Sequence, residues 1–229
     1  MQALAEVLKI NTILTILDIS YNQFGYQGVQ ALAEALKINT TLIKLDLGCS
    51  QFDHQCIQAL AEALKINVTL TKLILMENQI DDLGAQYLAE ALKINTGLTK
   101  LNLGFNEIGT LGTQVLAEAL KINTTLTTLS LICNQIDWHD VQFLTEALKI
   151  NTALTTLKIN GPLTTDNFWS HKNDNIKLLF YQRLKINNIN KKRLRCLQIL
   201  CLEKLEQFDR IDEIKFLNPI IYDSCLMKY

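Results

Sequence analysis

The chain has 229 residues, of which 48% are hydrophobic, and its formal net charge is −1. This apolar content is sufficient for a continuous core. No apolar run approaches the roughly 20 residues of a membrane span, and no basic-then-apolar leader precedes Leu4. We therefore expect neither a membrane-spanning helix nor an N-terminal export signal. The six cysteines form neither a CxxC pair nor a regular framework, which favours reduced thiols in a cytosolic protein.

One eight-residue block recurs along the chain at intervals of 28 residues. Leu-Ala-Glu-Ala-Leu-Lys-Ile-Asn occupies 32–39, 60–67, 88–95 and 116–123, and it returns with one change each at 4–11 and 144–151. A spacing that holds through five intervals indicates a tandem array rather than a bias of composition. The chain is therefore interpreted as a repeat protein before any other property is considered.

Each unit combines two hydrophobic periodicities. The pattern LxxLxLxxNxI from Leu70 to Ile80 alternates in the manner of a short strand with one buried face. The following segment, 83–94, has apolar residues at helical spacing with Glu90 and Lys93 on the opposite face. Asn95 follows the helix and is predicted to take the left-handed conformation at which the chain turns.

Neither element can bury its apolar face alone, so the units are predicted to stack. Strands would form a parallel sheet on the inner side and the wider helices an outer layer, which curves the stack. The register aligns one buried column, made of Leu17, Leu45, Leu73, Leu101, Leu129 and Leu157. A second column places side-chain amides inside the turns, where they can bond backbone groups left unpaired by the strands, at Asn22, Ser50, Asn78, Asn106 and Asn134. Ser50 departs from the pattern, which predicts a looser turn or a bound water there.

The pattern LxxLxLxxNxI followed by a long helix in a 28-residue unit resembles the leucine-rich repeat, in the subtype of the ribonuclease inhibitor. The resemblance covers residues 3–160 and implies a horseshoe-shaped α/β solenoid that binds other proteins through its concave strand face. The sequence Leu-Lys-Ile-Asn-Thr-Thr-Leu-Thr-Thr-Leu also resembles those of repeat proteins from bacteria that live inside eukaryotic cells, where such chains are often translocated effectors. Related sequences occur in eukaryotic innate-immune receptors.

The sequence predicts where the array of repeats begins and where it ends. Helix formation starts at Met1, so the first helix either caps the array or follows repeats that the chain has lost. At the other end, Pro162 cannot donate to a ladder and should stop the sixth strand. We therefore predict six leucine-rich units in 1–162 and an α-helical C-terminal cap in 163–229, in which a worn seventh helix at 179–187 precedes further amphipathic helices.

The concave face is predicted to bind a protein, because apolar anchors stand there within a charged surround. The residues proposed to contact the partner share exposed strand or turn positions; they are Tyr21, Lys44, Lys72, Ile74, Met76, Glu77, Lys100, Asn102, Phe105 and Ile132. Trp138 is predicted to pack under its helix, by analogy with Leu83 and Leu111.

Catalytic, metal and cofactor sites are not expected. The sequence has no phosphate loop, no GxSxG elbow and no His-Glu-x-x-His motif. The three histidines have no ligand spacing to cysteine, so no zinc site is predicted. Cys201 invites comparison with bacterial ubiquitin ligases that carry leucine-rich repeats, but the tail is too short for their catalytic domain, and a thiol on an apolar helix stripe is inert.

Three functions remain open at this point. The favoured one is a non-enzymatic scaffold for a protein partner, in the setting of a bacterial effector that acts in a host cytosol. The acid-rich segment before the C-terminus resembles type IV export signals, which supports that setting. The second is contact of the basic run 191–195 with anionic lipid or nucleic acid, with the repeats as a spacer; the acids downstream favour a solvated helix turn instead. The third is GTPase activation, known for one family of this repeat subtype.

Overall fold

The computed structural model describes residues 1–159, apart from the side chain of Trp138. Helices and strands alternate throughout this part of the chain. The helices are α1 (Gln2–Ile10), α2 (Gly25–Ile38), α3 (His54–Leu64), α4 (Asp82–Ile94), α5 (Thr110–Ile122) and α6 (Trp138–Ile150). The strands are β1 (Ile16–Asp18), β2 (Lys44–Asp46), β3 (Lys72–Ile74), β4 (Lys100–Asn102), β5 (Thr128–Ser130) and β6 (Thr156–Lys158).

The six strands form one parallel sheet in the order of the sequence, and each helix packs against the next one. Every strand pairs with the strand 28 residues later, as in Leu45↔Leu73, so the predicted register is confirmed. The ladder continues past the short strands: Leu75 N donates to Asn102 O at 2.9 Å, and Glu77 N donates to Gly104 O at the same distance. The backbone therefore holds neighbouring repeats together well beyond the three residues of each strand.

The core lies between the sheet and the helix layer. The predicted leucine column is confirmed from Leu45 to Leu157, whose members are at most 3% exposed, whereas Leu17 in the first repeat is only half-buried. On the helix side, Ala85, Leu88, Ala89 and Leu92 are buried as predicted. Each of these leucines contributes about 2 kcal/mol of burial free energy, and the contribution recurs in every unit.

Aspartates begin three of the helices. Asp53, Asp81 and Asp137 each accept a hydrogen bond from a backbone N–H in the first turn, and Asp140 completes a capping box with Asp137. Helix α5 starts at a glycine position without a capping side chain, but Asp82 from the preceding helix reaches across to it. Its Oδ1 accepts from Gly109 N at 2.7 Å and from Gly112 N at 2.9 Å.

Five of the six helices end at an extended asparagine, and α3 ends at Lys65 in the α-helical region. The predicted left-handed conformation at Asn95 is therefore wrong: its φ is −65° and its ψ is 129°. The chain turns here through hydrogen bonds of the asparagine side chain instead of a left-handed backbone. Asn95 Nδ2 donates to Leu64 O at 2.6 Å and to Asn67 O at 2.8 Å, both in the preceding repeat. Its Oδ1 accepts from Gly97 N and Leu98 N.

The same arrangement recurs in other repeats, at Asn39, Asn67, Asn123 and Asn151. Since the last carbonyls of a helix have no partner within it, each asparagine satisfies one in the unit before its own. A buried amide with this reach ties successive repeats together.

A second amide column lies in the turns after the strands, as predicted. Asn78 Nδ2 donates to Leu47 O of the preceding repeat and to Leu75 O, while its Oδ1 accepts from Ser50 N at 3.1 Å and Phe52 N at 3.0 Å. Ser50 itself reaches only Gly48 O in its own repeat. Gln51 beside it has a φ of 57°, a left-handed residue that the other described turns lack at this position.

At the first repeat, the helix layer covers only one side of α1. Ala5 and Leu8 are buried against α2, and Leu4 is half-buried. Val7 is 53% exposed and Ile13 is 84% exposed. The apolar surface of α1 is therefore covered on the side of α2 and partly exposed elsewhere.

Several predictions lie outside the described residues: the strand stop at Pro162, the helical cap in 163–229 and the basic run 191–195. Within residues 1–159, no helix has the length and apolar character to span a membrane.

Candidate functional site: the strand face

We call the outward-facing side chains of β1 to β6, together with those of the turns that follow them, the strand face. Its first row lies where the strands begin and consists of Ile16, Lys44, Lys72, Lys100, Thr128 and Thr156, paired in register. Neighbouring strands are about 4.8 Å apart, so the three lysines are adjacent to one another. Lys44 and Lys72 are half-buried and Lys100 is exposed.

The second row lies two residues further along and contains Asp18, Asp46, Ile74, Asn102, Ser130 and Lys158. Three of its side chains have a local structural role. Asp46 Oδ1 accepts from Gly48 N at 3.2 Å, and Asn102 Oδ1 accepts from Gly104 N at 3.0 Å. Asp18 accepts from the hydroxyl and the backbone N–H of Ser20, which lowers the pKa of its carboxyl; the charge of Lys44 adds a smaller effect.

From Gly48 onward, the third row alternates glycine with a large apolar residue along the repeats. It contains Ser20, Gly48, Met76, Gly104 and Ile132. Met76 lies over Gly48, where an added Cβ would come within 3.2 Å of Met76 Cγ. Ile132 lies over Gly104, where a Cβ would come within 2.8 Å of Ile132 Cγ1. Each glycine thus makes room for the apolar side chain of the next repeat, and together they form an apolar floor on the strand face.

The fourth row has a backbone feature that the sequence does not reveal. Its residues are left-handed although none is glycine: Tyr21, Cys49, Glu77, Phe105 and Cys133 have φ values of 53–58°. This conformation costs a non-glycine residue about 1 kcal/mol or more. The ladder holds them in place, as when Phe105 N donates to Ile132 O at 2.7 Å. Tyr21 is 79% exposed and Phe105 is 47% exposed, so both present aromatic surface to solvent.

Cys49, Tyr21 and Glu77 form a small cluster in this row. Cys49 Sγ donates to Glu77 Oε2 at 3.2 Å. Burial, and after it the nearby Glu77, raise the pKa of the Cys49 thiol, and the contact with Cys49 raises the pKa of Tyr21. Because a raised pKa disfavours the thiolate, Cys49 is not an activated nucleophile.

The lysines of the described residues divide into two groups. Those on the helices each form an ion pair with the glutamate three residues earlier, at 2.5–2.6 Å in five of the six cases: Lys9, Lys37, Lys65, Lys93, Lys121 and Lys149. The remaining four have no ion pair with any residue in 1–159, and all four stand on the strand face: Lys44, Lys72, Lys100 and Lys158.

Of the ten residues proposed to contact the partner, five lie on strands and five in the turns that follow the strands, and none of them is fully buried. Trp138 was predicted to pack under its helix because Leu83 and Leu111 occupy the same position in other units. These two leucines are 39% and 65% exposed, so the analogy no longer supports a buried Trp138. The side chain of Trp138 itself lies outside the description. In residues 1–159, no group of three or more His, Cys, Asp and Glu side chains could hold a metal ion.

Comparisons with known proteins agree with this architecture. The family described as "Leucine Rich repeat" matches residues 11–33, 67–89 and 95–117. No curated protein matches the sequence significantly.

Among solved structures, leiomodin-1 actin-binding site 2 is similar at 20% identity, with a TM-score of 0.54, 89% of this chain and 94% of that chain covered. The tropomodulin C-terminal domain of Caenorhabditis elegans is similar at 15% identity, with a TM-score of 0.55 and coverage of 66% and 92%. The leucine-rich repeat-containing protein LegL7 of Legionella pneumophila aligns at 19% identity with a TM-score of 0.49 and coverage of 85% and 65%. The chain therefore contains leucine-rich repeats and has the leucine-rich-repeat fold, which suggests a protein-interaction scaffold.

Proposed function

We propose that the chain is a non-enzymatic scaffold that binds a partner protein on the strand face. The observation that carries this proposal is the contrast between the two layers of each repeat. The helix layer repeats the same side chains in nearly every unit, whereas the strand face changes from unit to unit and exposes aromatic and apolar groups. Residues that vary where the packing does not require them are the ones that can encode a partner.

The exposed groups have the makeup of an interface core. Tyr21 and Phe105 present aromatic rings, and Met76 and Ile132 cover the neighbouring glycines as an apolar floor. Aromatic side chains and methionine are enriched at interfaces because they bury a large area on binding. Charged residues surround this floor, as is usual at the rim of a contact surface.

Quantitative affinity capture from eukaryotic lysate tests the proposal. Wild-type chain is compared with Met76→Ala/Phe105→Ala and with a control on exposed helix positions, Gln86→Ala/Gln114→Ala. We expect one or more proteins to be retained by the wild type and the control and lost from the strand-face variant. Equal retention by all three chains would contradict strand-face binding.

Two rival functions have direct tests. Contact through the basic run 191–195 should weaken steeply between low and physiological salt, whereas apolar contacts on the strand face should change little. Replacement of Lys191, Lys192 and Arg193 by alanine would abolish capture only under that rival. A GTP-turnover assay with a panel of small GTPases tests GTPase activation. Residues 1–159 contain no arginine that could stabilise the transition state of GTP hydrolysis.

We also propose that the chain acts in the cytosol of a host cell, as a bacterial effector does, because the sequence of its repeats resembles that of such effectors. Fusion to an enzyme reporter that reads out delivery into infected host cells tests this setting. Absence of the reporter signal from the host cytosol would contradict it.

A further inference from the structure

We propose that the strand face receives an amphipathic helix of the partner whose one edge is lined with acidic side chains. The inference rests on the proposed function and specifies the chemistry of the partner. Its basis is the combination of an unneutralised lysine row, an apolar floor at a set distance from that row, and the spacing of the strands.

The first step concerns charge. Helix lysines in residues 1–159 have a glutamate three positions earlier, so the charge of each of these lysines is neutralised locally. Lys44, Lys72 and Lys100 instead stand side by side in register, without an ion pair in the described residues. Like charges directly opposite on neighbouring strands are destabilising. A partner with carboxylates at this row would relieve the repulsion, which makes an acidic occupant the favourable one.

The second step concerns the distance between the lysines and the apolar floor. Four residues along a strand separate Lys72 from Met76, which corresponds to about 13 Å at about 3.3 Å per residue. An α-helix with its side chains is about 10–12 Å wide. A helix that lies across the strands therefore contacts the lysine row with one edge and the floor formed by Met76 and Ile132 with the other.

The third step concerns the spacing along the array. Successive lysines are about 4.8 Å apart because they stand on neighbouring strands, and successive turns of an α-helix are about 5.4 Å apart. One acidic residue per helical turn, at i, i+4 and i+7, can thus face one lysine per strand. In an extended segment, side chains on the same side recur at about 6.8 Å, and the segment is too narrow to reach both rows.

A phosphate polymer fits this surface less well. Asp18, Asp46 and Glu77 lie on the same face as the lysines. Residues 1–159 contain ten lysines against fifteen acids, so the field around them is not that of a nucleic-acid-binding protein. An acidic helix with an apolar side matches both the lysines and the floor.

Display selection on the full-length chain tests the inference. The probes are a library of peptides on a fixed helical scaffold with randomised outward positions, and a parallel library of extended, proline-containing peptides. Selected peptides that no longer bind Met76→Ala/Phe105→Ala are classed as strand-face binders. Their affinities are then measured by fluorescence anisotropy.

Two triple variants with the same net charge provide the matched comparison. The first removes the strand lysines, as Lys44→Gln/Lys72→Gln/Lys100→Gln. The second removes the lysines at the helix ends of the same three units, as Lys65→Gln/Lys93→Gln/Lys121→Gln. Unfolding midpoints of both variants are measured first, so that a loss of binding is not mistaken for a loss of fold.

We expect helical binders with acids spaced one per turn on one edge, whose affinity falls about tenfold or more with the strand-lysine variant and changes less than about twofold with the helix-lysine variant. Strand-face binders that ignore the three strand lysines, or that come only from the extended library, would overturn the inference and leave the proposed function standing. Displacement of the peptides by a deoxythymidine oligonucleotide at equal charge concentration would also overturn it, because the row would then be a general anion site. If neither library yields a strand-face binder, both the inference and the proposed function fail.

Discussion

Lys93 on α4 and Lys100 on β4 are seven residues apart in one chain segment, yet Lys93 lies 2.6 Å from Glu90 Oε1 and Lys100 has no ion pair among the described residues. The same division separates the helix layer from the strand face throughout the array. The helix layer pairs each of its lysines with a glutamate and buries nearly the same residues in each unit. The lysines of the strand face have no ion pair among the described residues, and the other side chains of this face change from unit to unit. The difference indicates that the repeated residues maintain the fold, and it supports the proposal that the variable residues select the partner.

The largest expected effect tests the structural half of this comparison. Asn95→Ala removes two donated and two accepted hydrogen bonds from a side chain that is 4% exposed. We expect a loss of about 3 kcal/mol in the free energy of unfolding, because the Leu64 and Asn67 carbonyls lose a buried donor. Urea unfolding provides the measurement.

Asn11→Ala is the matched control for Asn95→Ala. In the first repeat, Asn11 accepts from Ile13 N and Leu14 N but has no preceding repeat in the described chain to which it could donate. We expect about half the loss or less. Equal losses from the two substitutions would show that the contact between repeats contributes nothing.

A substitution toward the repeat consensus is the second test. Gly97 stands where other units have Thr41, Thr69 and Thr125, so sequence comparison alone favours Gly97→Thr as stabilising. An added Cβ would lie 2.3 Å from Val68 O, which is backbone. We therefore expect Gly97→Thr to destabilise the chain by about 2 kcal/mol or more, measured as a shift in the urea midpoint. Ala153→Thr at the same register position should change little, and a stabilised Gly97→Thr variant would refute the close approach.

The third test compares a thiol of the helix layer with one of the strand face. Burial raises the pKa of Cys56 to about 11. A raised pKa favours the neutral thiol in the folded state, so this stabilisation is complete below the unfolded pKa near 9 and is lost as the pH rises to about 11. Between these values, we expect wild type to lose up to about 2 kcal/mol relative to Cys56→Ala.

Chemical unfolding of both chains at a series of pH values measures the Cys56 effect. Cys49→Ala on the strand face is the control and should show a smaller difference in the same direction, because burial also raises the pKa of this thiol but the residue is only half-buried. A wild type and a Cys56→Ala variant with parallel pH profiles would place the thiol in a solvated environment.

The smallest expected effect concerns the two classes of lysine. Lys93→Gln removes a helix ion pair and should cost about 0.3–0.5 kcal/mol at low salt. Lys72→Gln removes repulsion from Lys44 and Lys100 and should stabilise by about 0.5 kcal/mol. Both differences should shrink at about 1 M salt, where the Debye length is about 3 Å. The same sign for both substitutions would remove the electrostatic distinction between the two faces.

Much of the fold follows from the sequence, because the 28-residue spacing fixes the register of every strand. The leucine column, the parallel order and the turn amides at Asn78, Asn106 and Asn134 were all predictable from that spacing. The conformation of Asn95 was not, since asparagine suits both a left-handed turn and an extended residue with a bonded side chain. Only the position of the preceding helix end decides between them.

The candidate site was predictable as a set of exposed positions and no further. Periodicity places Met76 and Gly48 in one row, but the coverage of the glycine by the methionine depends on the direction of a side chain. The left-handed backbone at Tyr21, Glu77 and Phe105 has no sequence signal, because these residue types are not typical of that conformation. The pairing of helix lysines with glutamates at i−3 could have been read from the block itself.

The asparagine that bridges each helix end to the unit before it has a consequence for how such a chain can change in length. In every copy, the asparagine after the helix donates to a leucine carbonyl of the preceding unit, 31 residues earlier in the sequence. The helix end of the same copy offers a carbonyl to the asparagine of the following unit. Duplication or deletion of one whole copy leaves all these bonds matched. An insertion of another size between a helix end and the strand that follows it would displace the bridging amide or the strand register. Genes for this array can therefore gain or lose strand surface in whole copies, and each copy brings its own set of variable strand positions.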